Sequence, residues 1–65
     1  MRVFTNAGCG VCVALEERNG VVLIAATERN EYVVAHRLNR DGTWSCGEYF
    51  KDLQTAVARY KKKSK

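Results

Sequence analysis

Asn19-Gly20-Val21-Val22-Leu23-Ile24-Ala25-Ala26-Thr27-Glu28-Arg29-Asn30-Glu31 is the stretch whose reading decides the fold. Asn-Gly suits a type I′ hairpin turn, because both central residues of that turn take positive φ. Val21 to Thr27 then reads as a strand, and its unbroken apolar character implies burial on both faces and a central place in a sheet. Glu28 to Glu31 is too short for a helical crossover, so the strands on either side of it are antiparallel neighbours.

Outward from that stretch the pattern stays β. Val11, Val13 and Leu15 alternate with Cys12, Ala14 and Glu16, the period-two signature of a strand with one apolar face. Tyr32 to Leu38 reads as the next strand from its β-branched and aromatic content. Asn39-Arg40-Asp41-Gly42 has the form of a type I turn closed by a left-handed glycine, a common hairpin loop with a G1 bulge. Pairing Asn39 with Thr43 and counting outward sets Leu38 opposite Trp44, His36 opposite Cys46, Val34 opposite Glu48 and Tyr32 opposite Phe50, all on one face. Val33, Ala35, Arg37, Ser45, Gly47 and Tyr49 fall on the other, with Ala35 facing Gly47 and leaving a shallow spot for close approach.

Asp52 is placed to cap a helix, and Leu53, Ala56, Val57 and Tyr60 form an apolar stripe at helical spacing. The stripe is expected to cover the face with Trp44, Phe50 and Leu38, leaving the other face open. The expected architecture is α+β: a small antiparallel β-meander of three to four strands with one C-terminal amphipathic helix packed on one face. Residues 1–60 form a single small domain, followed by a basic tail at 61–65.

A chain of 65 residues, 46% apolar and without proline, is one globular domain at most. Such a domain buries only about 60% of its unfolded surface and seldom gains more than roughly 3 to 5 kcal/mol from its core alone. Met1 to Asn6 lacks the apolar segment of a secretory signal, and Val21 to Ala26 is too short to span a bilayer. Three cysteines cannot pair completely within one chain, which agrees with a reducing compartment. A cytoplasmic protein with no membrane partner is expected.

Cys9-Gly10-Val11-Cys12 is a C-x-x-C, and Arg2 to Cys12 resembles the opening of thioredoxin and glutaredoxin chains, in which a strand runs into the redox pair and a helix follows. That resemblance implies Cys9 as nucleophilic thiolate and Cys12 as resolving thiol. The chain departs from the family in having no proline, where those proteins carry a cis-proline beside the pair, and in lacking room for a crossover at Glu28 to Glu31. A second reading is metal: Cys9 and Cys12 with the inferred His36 and Cys46 pair would make a tetrahedral Cys3His zinc set. The third, preferred here, makes Cys12 and Cys46 small buried hydrophobes and Cys9 a loop residue, with no catalytic residues, cofactor or metal.

Charge supplies the remaining lead. Arg59, Lys61, Lys62, Lys63 and Lys65 are five of eleven basic residues, so the +4 net charge belongs to the C-terminal end. Clustered cations gain phosphate affinity by releasing condensed counterions. Arg37 and Tyr49 on a sheet face, beside Ser45, add hydrogen bonding and stacking for bases. The expected function is therefore a non-catalytic binding module contacting DNA or RNA through Arg59, Lys61, Lys62, Lys63, Lys65, Arg37 and Tyr49. The competing expectation is a protein-interaction module, an adaptor, inhibitor or homodimer that uses the open sheet face. The same cations also complement a helix dipole, which needs no ligand at all.

Overall fold

The computed structural model describes residues 1–65. Five strands, β1 (Arg2–Asn6), β2 (Gly10–Arg18), β3 (Val21–Ala26), β4 (Glu31–His36) and β5 (Ser45–Phe50), form one antiparallel sheet in the order β1-β2-β3-β4-β5. The helix α1 (Leu53–Lys63) follows. The α+β class holds, with five strands in place of three to four. The additional strand is β1, whose residues pair with β2 from Arg2 opposite Ala14 to Asn6 opposite Gly10.

Local turn chemistry accounts for most of the meander. Asn19 and Gly20 both take positive φ, 52° and 78°, as the tight β2–β3 turn requires. A single 3-10 turn at Thr27–Arg29 joins β3 to β4, with Asn30 in the left-handed region. β3 lies in the middle of the sheet, and Val21, Val22, Leu23, Ile24 and Ala26 are all buried. The Asp52 carboxylate caps α1 by accepting from the Thr55 amide and hydroxyl, both at 2.9 Å. These contacts hold the Asp52 carboxyl below its ordinary range.

Two bulges overturn the expected sharing of side chains between faces. Asn39 and Thr43 do close the loop, with the Asn39 amide donating to the Thr43 carbonyl at 2.8 Å, but its register does not extend into the strands. Tyr32 pairs with Phe50 and Val34 with Glu48, yet His36 pairs with Ser45 rather than Cys46. Cys46 and Gly47 together stand opposite Ala35, and Cys46 takes φ 52°. One extra residue reverses the parity of everything before it on β5. In β2, Leu15 is the extra residue between Ala14, opposite Ile24, and Glu16, opposite Leu23.

Trp44, shifted by the β5 bulge, and Leu38, which follows the left-handed Arg37, do not lie beneath the helix. The helix packs on β3, β4 and β5, burying Ala56 and Tyr60 against Val21, Leu23 and Val34, with Leu15, Tyr32, Phe50 and Val57 at the margin. Leu53, expected in the stripe, is 42% exposed. Trp44 and Leu38 cross to the opposite face, where they and Phe4 close over Cys9, Cys12, Ala14, Val22, Ile24, Ala26, Val33 and Ala35. The face expected to remain open is thus the larger core. Phe4 and Trp44 meet edge to face, with centroids 6.3 Å apart and planes at 86°. The shallow spot at Gly47 is filled from within: a Cβ there would come 2.7 Å from the Trp44 indole nitrogen.

β1 is held to the β4–β5 loop from the other side. The Asn6 side-chain amide donates to the Gly42 carbonyl at 2.7 Å, and its carbonyl oxygen accepts from the Gly8 and Cys9 amides, both at 2.9 Å. Gly42 has φ +87° and lies so close to β1 that a Cβ would collide with the Thr5 carbonyl oxygen. Gly20 has a similar φ, +78°, and open space around it. Gly20→Ala is therefore expected to cost only the left-handed penalty of about 1 to 2 kcal/mol. Gly42→Ala adds a backbone collision and should abolish cooperative unfolding in urea, because the whole core supplies only roughly 3 to 5 kcal/mol; equal urea midpoints for the two variants would contradict this close approach. For the aromatic pair, a Phe4→Ala, Trp44→Ala double-mutant cycle should show a coupling of about 0.5 to 1.5 kcal/mol.

Candidate nucleic-acid interface

The expected tail at 61–65 is ordered. Lys61, Lys62 and Lys63 form the last turn of α1, and Ser64 is only 4% exposed. Two bonds dock this end: the Ser64 amide donates to the Tyr60 carbonyl at 2.9 Å, and the Asn19 side-chain amide donates to the Ser64 carbonyl at 2.6 Å. The helix end therefore rests on the β2–β3 turn. Cations at a helix C-terminus also complement the partial negative charge of its last carbonyls.

The five cations divide into two groups. Lys63 Nζ lies 2.6 Å from Glu48 Oε1 and Arg59 Nε 3.7 Å from Oε2, so both are occupied inside the protein by a carboxylate on β5. Lys61, Lys62 and Lys65 are exposed and make no ion pair. A further cation joins them that the charge pattern alone did not reveal. Arg18, at the end of β2, lines a cleft of about 330 Å³ together with Glu16, Tyr60, Lys61, Ser64 and Lys65. Nothing in the local sequence sets Arg18 apart; the docking of Ser64 on Asn19 brings it beside the lysines.

Arg37 and Tyr49, the expected base-contacting residues, lie apart. Arg37 is exposed, takes φ 57°, and donates its backbone amide to the Gly20 carbonyl at 3.1 Å, which places it at the turn that holds the helix end. Tyr49 is 51% exposed but pairs with Val33 on the face away from the helix, beside Trp44. The structure thus gathers Arg18, Arg37, Lys61 and Lys65 around one end and leaves Tyr49 outside that group.

The cysteines do not converge. Cys9 lies in the β1–β2 turn and Cys12 in β2, both buried, whereas Cys46 is exposed in its bulge and expected burial fails there. With His36 opposite Ser45, the Cys9, Cys12, His36 and Cys46 set is not assembled, and no group of three or more His, Cys, Asp or Glu side chains is placed to hold a metal ion. The thioredoxin-like opening fails for a different reason. A strand, not a helix, follows the C-x-x-C, so no helix N-terminus faces Cys9. Burial instead pushes the Cys12 thiol above its ordinary value, and Cys9 and the Glu28 carboxylate push the same way. Glu28 is fixed there by accepting from the Val11 amide at 2.9 Å.

Comparison of the chain with protein families, with characterised proteins and with solved structures finds no match. No helix is long and apolar enough to cross a membrane.

The Glu48 cluster has a pH signature. The Lys63 ammonium holds the Glu48 carboxyl below the ordinary carboxylate range; partial desolvation opposes this, and Arg59 adds to it. A carboxyl whose folded pKa is depressed contributes stability that is fully present above its unfolded value, about 4.3, and is lost as pH falls through the folded value. Glu48→Gln should therefore lower Tm at pH 7, and the gap to the parent protein should close as pH falls through the depressed folded value and the parent's own carboxyl is protonated. Thermal unfolding monitored by circular dichroism across that range checks this, and a gap that persists in acid would assign the stabilisation to packing rather than charge.

Proposed function

We propose that the protein is a non-catalytic binding module whose basic end contacts the phosphates of DNA or RNA with little sequence preference. The observation that carries this reading is the exposed, unpaired state of Lys61, Lys62 and Lys65, with Arg18 beside Lys61 and Lys65, on a body whose other charges nearly cancel. Docking of the helix end supports it further, because cations held on an ordered surface lose less freedom on binding than cations on a mobile tail. Arg59 and Lys63 belong to the Glu48 cluster and serve the fold.

A second reading has its own observation. Met1, Val3 and Val11 are 95%, 70% and 41% exposed, and β1 is an edge strand of the sheet, so a protein partner could engage this side. Salt dependence separates the two, since polyanion complexes weaken steeply with salt and apolar interfaces far less.

Removing Lys61 to Lys65 outright would also remove Ser64 and the Lys63 ion pair, so neutralisation is the cleaner test. If Arg18, Lys61, Lys62 and Lys65 each neutralise one phosphate, log K against log salt for duplex DNA should slope at about −3.6. Affinity should then fall on the order of a hundredfold between about 50 and 200 mM salt. Fluorescence anisotropy with a labelled duplex measures this. The Lys61→Gln, Lys62→Gln, Lys65→Gln triple variant should retain the parent's circular dichroism spectrum and a slope near −0.9. Absence of binding at low salt, or unchanged binding by the triple variant, would transfer the assignment to the protein-partner reading.

A further inference from the structure

Tyr60 is 3% exposed and its hydroxyl has no hydrogen-bond partner within the protein. Buried hydroxyls almost always find a partner, because an unsatisfied one forfeits its hydration without return. Phenylalanine would fill the same place against Val21, Leu23 and Val34 without that cost. The oxygen is thus superfluous to the packing. Its residue also forms part of the wall of the cleft that contains Arg18, Lys61, Ser64 and Lys65.

We infer that this cleft is a subsite for a terminal phosphate group, with Tyr60 as the buried donor in its wall and Arg18, Lys61 and Lys65 as its charge. The inference rests on the basic end being a nucleic-acid surface for the origin of the ligand, but not for the chemistry of the cleft. Arg18 offers a planar fork suited to two phosphate oxygens, and the lysines act as mobile point charges. All three are exposed and long enough to move aside as the ligand enters. Burial, together with the charges of Glu16 and Glu17, raises the Tyr60 pKa against the opposing effect of Arg18, so near neutral pH the hydroxyl keeps its proton and can donate it. Glu16 in the wall and Glu17 close by both repel an anion, and the three cations Arg18, Lys61 and Lys65 outnumber them. A phosphate inside a nucleic-acid chain carries a sugar on each side and cannot lower an oxygen to a side chain so deeply buried. A terminal phosphate can enter end-on.

The test compares single-stranded oligonucleotides of one sequence bearing a 5′-phosphate, a 3′-phosphate or hydroxyls at both ends, together with inorganic phosphate against chloride at equal ionic strength. The parent protein should bind at least one phosphorylated oligonucleotide about tenfold more tightly than the hydroxyl form, the factor expected for a hydrogen bond to a charged group. Inorganic phosphate should raise Tm above chloride. Tyr60→Phe should lose both effects, retain the parent's affinity for the hydroxyl oligonucleotide, and melt no lower than the parent in chloride. Arg18→Gln should lose the same preference and keeps the test decisive if Tyr60→Phe does not fold. Equal binding of all three oligonucleotides by the parent, or a preference that survives in Tyr60→Phe, overturns the subsite while leaving the nucleic-acid reading intact. A phosphate-specific rise in Tm that Tyr60→Phe abolishes, with no oligonucleotide bound, upholds the subsite and overturns the nucleic-acid reading instead.

Discussion

The close approach of Gly42 to the backbone of β1 is the constraint on which the rest of the structure depends. A meander of nearest-neighbour strands has no intrinsic reason to bring its first strand to its last hairpin. Here the Asn6 amide grips the Gly42 carbonyl across 36 residues of sequence, and the contact turns an open ribbon into a closed shell. Phe4 and Trp44 are brought together by the same approach. Without it, β1 would lie over nothing, and the core cluster containing Cys9, Cys12, Val33 and Ala35 would face water on one side. A 65-residue chain has little apolar surface to spare, so it builds two thin layers on either side of the shared strands β3 and β4 rather than one deep core.

Features written in local chemistry were legible in the sequence. The Asn19-Gly20 turn, the central and doubly buried β3, the loop closed by Asn39 and Thr43, and the Asp52 cap each follow from a few adjacent residues. What could not be read was parity. Leu15 and Cys46 are bulged, and Arg37 and Cys46 take left-handed φ without being glycine, a choice imposed by tertiary packing. Each irregularity moves neighbouring side chains to the opposite face. Val11 and Val13, which alternation marks as apolar, face outward or only partly inward because the helix packs on β3, β4 and β5, while the small Cys12 and Ala14 are buried on the other face. β1 escaped notice for a related reason. Its residues resemble the lead-in to a redox pair, and only the return of residues 39–44 explains why the sheet needs them.

The candidate site shows the same division. A run of lysines is conspicuous in any sequence, but the separation of its members is a property of the fold. Glu48 claims Arg59 and Lys63, and the helix end brings Arg18 to Lys61 and Lys65. Charge that looks uniform along the chain thus becomes an inner network that braces α1 against β5 and an outer set that faces solvent. Apart from Arg18 on β2, the two sets are interleaved over residues 59–65.

The arrangement of Cys9 and Cys12 also makes them natural reporters of motion. Both thiols lie under the shell that Asn6 and Gly42 close, whereas Cys46 stands outside it. Opening of β1 away from residues 39–44 would uncover this pair. An alkylating reagent would then modify Cys46 at the rate of a free thiol, and Cys9 and Cys12 at a rate set by how often the shell opens. The chain carries within itself both a clock for that opening and the internal standard against which to read it.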